Sequence, residues 1–103
     1  MKILLVSGAK ESKSNILASD LIQECAKKNM TVQVLKANLY SDNLQAMEDE
    51  EKPDIILLVG TNKLLSQTPI INGLALMYPW MGLEKLINEI AVYYESSRRT
   101  QET

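Results

Sequence analysis

Close to the start of the chain, Ser7-Gly8-Ala9-Lys10-Glu11-Ser12-Lys13-Ser14-Asn15 gathers hydroxyls, a glycine, lysines and an asparagine between a short apolar run and an apolar pattern of helical spacing. Unpaired amides at a helix N-terminus and the helix dipole both place positive potential at such a point, which favours a bound anion. A nucleophile at position 7 would face that anion directly. The amides that hold phosphoryl oxygens would also stabilise a charged attacking atom and the transition state. The plainer reading is that Ser7-Gly8 ends a strand while Ser12, Ser14 and Asn15 cap a helix, and spacing alone favours it. A single glycine among charged residues does not make the Walker A pattern, so no nucleotide-binding P-loop is expected.

Other chemistry is thinly represented. Cys25 is the only cysteine and there is no histidine, so neither an internal disulfide nor the usual zinc ligand sets can form, and no metal or cofactor is expected. Cys25 falls on an apolar helical stripe and reads as a buried structural thiol. A formal charge of −2 provides no field for a nucleic-acid backbone. Tyr78 and Trp80 flank Pro79 and are read equally well as an exposed docking surface or as packing under the last helix. Met77 and Met81 read as core filler.

The elements that must position these residues follow from the apolar periodicity. Ile3-Leu4-Leu5-Val6 reads as a strand buried on both faces. From Asn15 onward Leu17, Leu21, Cys25 and Lys28, with Ala18 and Ile22 beside them, trace a helix to a turn at Asn29-Met30. A strand over Thr31 to Leu35 follows, then a weak helical pattern over Asn38 to Asp49. Ile55 to Val59 is the most apolar segment and reads as the central strand. A short strand is expected around Pro69 to Gly73, and a last helix runs from Leu83 to a break at Ser96-Ser97.

The alternation implies an α/β fold: a small, open, four-stranded parallel sheet with helices on both faces, Rossmann-like with a βαβ start and right-handed crossovers. Ligands in such sheets sit at the strand C-terminal ends, here Ser7 to Asn15, Thr61 to Gln67 and Gly73. One domain fills residues 1–95, and the polar segment 96–103, carrying Arg98 and Arg99, is expected to be a solvated, disordered tail. The apolar runs are too short for a signal-peptide core or a membrane span, so a cytoplasmic location is expected.

Two segments resemble the galactitol-type enzyme IIB component of bacterial sugar phosphotransferase systems. Lys2-Ile3-Leu4-Leu5-Val6-Ser7-Gly8 through Ser14 to Glu24 resembles its opening strand, phosphoryl loop and first helix. Thr68-Pro69-Ile70-Ile71-Asn72-Gly73-Leu74-Ala75-Leu76, followed by Gly82-Leu83-Glu84-Lys85-Leu86-Ile87-Asn88-Glu89-Ile90, resembles its order of proline, short strand, Asn-Gly and closing helix. The resemblance implies a phosphocarrier without cofactor. It would accept a phosphoryl group from a phosphohistidine on enzyme IIA and pass it to a sugar held by the membrane enzyme IIC, with neither nucleic acid nor membrane insertion involved.

In that family the residue closing the first strand is a cysteine, and here it is Ser7. The resemblance places Gly8, Ala9, Lys10, Glu11, Ser12, Lys13, Ser14 and Asn15 in the phosphate loop, with Lys10, Glu11 and Lys13 standing where small residues are usual. A serine hydroxyl needs a general base that a thiolate does not, and no histidine exists to supply it. The expectation is therefore an enzyme IIB-like domain of reduced or absent transfer. The alternative is a non-catalytic module that docks to phosphotransferase proteins. A flavodoxin would need a longer chain, and a receiver domain would need an acid at the end of the central strand, where Asp54 instead stands at its start.

Overall fold

Strand β1 (Lys2–Ser7) is hydrogen-bonded on both edges, to β2 (Gln33–Asn38) on one side and to β3 (Ile55–Val59) on the other, with β4 (Ile70–Asn72) beyond β3. This arrangement comes from a computed structural model, which describes residues 1–8, 11–38, 43–59 and 68–102, and their side chains except at 11 and 97–102. All three pairings are parallel, so the order is β2-β1-β3-β4. Helix α1 (Glu11–Lys27) joins β1 to β2, and α2 (Leu44–Glu51) precedes β3. A short helix α3 (Leu74–Met77), a 3-10 turn (Pro79–Met81) and the long α4 (Leu83–Glu102) follow β4.

The chain steps outward from β1 to β2, then back across β1 to β3. Crossovers of one hand then place α1 and α2 on opposite faces of the sheet. The packing follows that division. Ile3 and Leu5 of β1, with Ile55, Leu57 and Val59 of β3, pack under Leu17, Leu21 and Cys25 of α1, Ala75 and Leu76 of α3, and Leu86, Ile87 and Ile90 of α4. Leu4 and Val6 point the other way, with Ile56, Leu58 and Ala37, against half-buried Leu44 and Met47 of α2. The strand period of two thus turns the unbroken apolar run of β1 into two layers.

The element ends are fixed by identifiable groups. Asn29 adopts a left-handed φ of 61° after α1, and the Met30 N–H closes onto the Cys25 carbonyl at 2.9 Å, which makes the turn expected at Asn29-Met30. Asn43 caps α2, its Oδ1 accepting from the Ala46 N–H at 3.1 Å. The start of β1 is held to the end of α2 and the entry to neighbouring β3: the Lys2 N–H donates to Asp54 Oδ2 at 2.7 Å, and the Lys2 ammonium to the Glu51 carbonyl at 2.9 Å.

Several boundaries differ from the sequence reading. Helix α1 starts at Glu11 rather than near Asn15. Glu and Lys are good helix formers, so Glu11-Ser12-Lys13 continues the periodic segment backward instead of forming loop. Strand β2 covers Gln33–Asn38 rather than Thr31 to Leu35, because Lys28 to Val32 are needed to carry the chain from the helix end to the sheet. Helix α2 is Leu44–Glu51, and the stretch at 39–42 lies outside the described residues. Helix α4 continues past Ser96-Ser97 to Glu102. Serine weakens a helix only slightly, and Arg, Gln and Glu carry it on where no glycine or proline intervenes. Among the described residues, no helix is long and apolar enough to cross a membrane.

Gly73 shows why the Asn-Gly after β4 matters. Its N–H extends the β4 ladder to the Leu58 carbonyl at 2.7 Å, and the Asn72 side chain accepts from the Leu74 N–H at 2.9 Å to start α3. A Cβ at Gly73 would stand 2.7 Å from Leu57 Cγ and 3.1 Å from Val59 Cγ2. Gly73→Ala is therefore expected to destabilise the fold by about 1–3 kcal/mol, the usual cost of overpacking a filled core, as read from urea midpoints.

Candidate functional site at the C-terminal edge of the sheet

In open parallel sheets ligands collect at the C-terminal ends of the strands, and here that edge is set by the ends of β1 and β3. Ser7 closes β1 there, in register with Asn38 of β2 on one side and Val59 of β3 on the other. Gly8 follows, exposed, and α1 begins at Glu11, so the first-turn amides of α1 are delivered to the same edge as Ser7. Ala9 and Lys10 lie outside the described residues, as does the side chain of Glu11 and the Thr61 to Gln67 connector expected at this edge.

Ser7 is 1 % exposed and Ser14 9 % exposed, and they are the two buried polar or charged residues among the described ones. Both belong to the stretch that the sequence marks for anion chemistry. Burial of a hydroxyl is tolerated only with hydrogen-bond partners, and no buried side-chain nitrogen or oxygen among the described residues lacks one.

The early start of α1 changes the shape of this site. Ser12, Lys13, Ser14 and Asn15 are helical residues, not members of a long loop. Ser14 turns inward, whereas Ser12, Lys13 and Asn15 are exposed. Asn15 leans toward β2, where its Oδ1 accepts from the Lys36 ammonium. Lys13 lies on a different side of α1, beside Trp80. The nine residues therefore divide: Ser7 and Gly8 lie at the edge with the first-turn amides of α1, Ser12 and Lys13 border a depression with Trp80, and Asn15 turns toward β2.

Lys13, Ile16, Asp20, Leu76, Tyr78 and Trp80 border an open depression of about 460 Å³ next to this edge. Trp80 is 80 % exposed and inclined at 54° to Tyr78, with ring centroids 5.3 Å apart. The 3-10 turn at Pro79 lifts it off the sheet, so packing under the last helix does not account for it. Met81 is also exposed, unlike the core role read from the sequence, whereas Met77 packs against the core. Ile16 and Ile22 of α1 are exposed as well. Ile16 precedes the Leu17, Leu21, Cys25 stripe by one position, a 100° offset that was the available sign of its outward placement.

Cys25 is fully buried, and its thiol is pushed up to about 11 by burial, with neighbouring Glu24 adding to the effect. It stays protonated at neutral pH and far down α1 from this edge. An aromatic disulfide reagent at pH 8 is expected to leave it unmodified until denaturant is added, with rapid reaction of the native chain as the contrary result. Comparison of the chain with protein-family models, with curated proteins and with solved structures returns no match to any of the three.

Proposed function

We propose that the chain is an enzyme IIB-like domain of a sugar phosphotransferase system, with Ser7 in the phosphoryl-acceptor position and phosphotransfer weak or absent. The observation that carries this reading is the burial of Ser7 and Ser14 together at the C-terminal end of β1 and the N-terminal part of α1. Buried hydroxyls are placed where a sheet of this order collects ligands, and helix amides there favour a phosphoryl group. Enzyme IIA is the phosphoryl donor in this proposal, and membrane enzyme IIC presents the sugar. The location that follows is cytoplasmic.

Weak transfer follows from the residues present. Attack by a hydroxyl requires removal of its proton, and the chain contains no histidine to take it. Ser7 is also closed off, at 1 % exposure. That closure favours a second reading, in which the domain docks to phosphotransferase proteins without carrying phosphate.

The test is incubation of the chain with phosphoenolpyruvate, enzyme I, the histidine carrier and enzyme IIA, followed by intact mass measurement. Trace labelling at most is expected. Stoichiometric phosphate on Ser7 would overturn the weak-transfer part of the proposal.

A further inference from the structure

From the face of α1 that borders the Trp80 depression, we infer that two copies of this chain associate through a two-fold, antiparallel pairing of α1 with α1. Lys13, Ile16 and Asp20 occupy one side of that helix, three residues before and four after a shared centre, so they stand in a row with the charges at its two ends. Ile16 is 61 % exposed, and Trp80, 80 % exposed, borders the same depression. Among the described residues, ion pairs join Lys2 to Glu51 and Lys27 to Glu24, but none involves Lys13 or Asp20.

This row is self-complementary in one orientation. A two-fold axis crossing α1 at Ile16 sets Lys13 of each copy opposite Asp20 of the other and closes the apolar centre of Ile16 and Trp80 between two ion pairs. A parallel pairing would instead oppose Lys13 to Lys13 and Asp20 to Asp20. An isologous interface requires this reciprocity, in which one residue meets a second and the second meets the first. The occupant that fits the row is therefore another copy of the chain. A strip formed by one helix and one short turn is at the small end of interface sizes, so the dimer is a reversible one. This association rests on the exposed side of α1 and stands apart from the chemistry at Ser7.

Sedimentation velocity of the full chain over a concentration series at low salt tests it. The wild type is expected to shift from monomer to dimer. Lys13→Asp and Asp20→Lys are each expected to weaken association by about tenfold or more, because each replaces two attractive contacts by two repulsive ones. An equimolar mixture of the two variants, and the double variant carrying both changes, is expected to regain the dimer, since opposite charges then face each other again. Trp80→Ala tests the apolar centre and is expected to weaken association likewise. A wild type that remains monomeric at every concentration overturns the inference. So does a dimer indifferent to both charge reversals, or a mixture and double variant that stay monomeric while their circular dichroism matches the wild type.

Discussion

Ser7→Cys is expected to take up a phosphoryl group from phosphorylated enzyme IIA at least about 10²–10⁴ times faster than the wild-type chain, the factor associated with a missing general base. The change replaces one atom at the end of β1 and leaves the backbone register with Asn38 and Val59 intact. Two opposing effects act on the new thiol. Burial raises a thiol pKa, as it does for Cys25, which is pushed up to about 11. The first-turn amides of α1 act the other way, and thiols at helix N-termini titrate at about 3.5–7.5. The amide effect is expected to prevail here, because Cys25 is buried in the last turn of α1, at the helix end whose dipole disfavours a thiolate, whereas position 7 adjoins exposed Gly8 and the N-terminal start of α1. Intact mass after donor treatment should show one phosphate on the variant and at most a trace on the wild type. Label on neither chain, with Ser7→Cys folded, would remove the carrier reading and leave docking as the function.

The residues at this edge were legible before the geometry was, and the reason is physical. A buried parallel strand announces itself by an apolar run, so Ile3 to Val6 and Ile55 to Val59 are unmistakable, and the alternation of segments gives the sheet. The polar stretch after β1 carries two contradictory signals, hydroxyls that suit caps and Glu and Lys that suit helix interiors. Propensity resolved that conflict in favour of helix, which starts α1 at Glu11 and shortens the loop. The burial of Ser14 depends on a phase that only a known helix start supplies. The exposure of Trp80 depends on the 3-10 turn at Pro79 and on Gly82, whose φ of 106° redirects the chain into α4. Neither leaves a periodic trace.

Leu57→Ala is expected to cost about 2–5 kcal/mol, a large share of the roughly 5–15 kcal/mol by which such domains are stable. Leu57 is fully buried in the central β3, between the register partners Leu5 of β1 and Ile71 of β4, under the face covered by α1, α3 and α4. It also touches the space that Gly73 leaves open, so its removal leaves a cavity that Gly73, having no side chain, cannot fill. Met47→Ala provides the contrast. Helix α2 has no buried residue, and Met47 is half-buried against the opposite layer, so the same kind of truncation there removes little area from the core and is expected to cost less than about 1 kcal/mol. Thermal unfolding distinguishes the two faces: the Leu57 variant should melt at least about 10 °C below wild type and the Met47 variant within a few degrees of it. Equal losses would mean that α2 bears on the sheet as firmly as the other helices. The asymmetry has a functional side, because α1 both covers the thicker core layer and delivers its first-turn amides beside Ser7. A loss of packing under α1 is then expected to disturb the β1–α1 edge, whereas a loss under α2 leaves it in place.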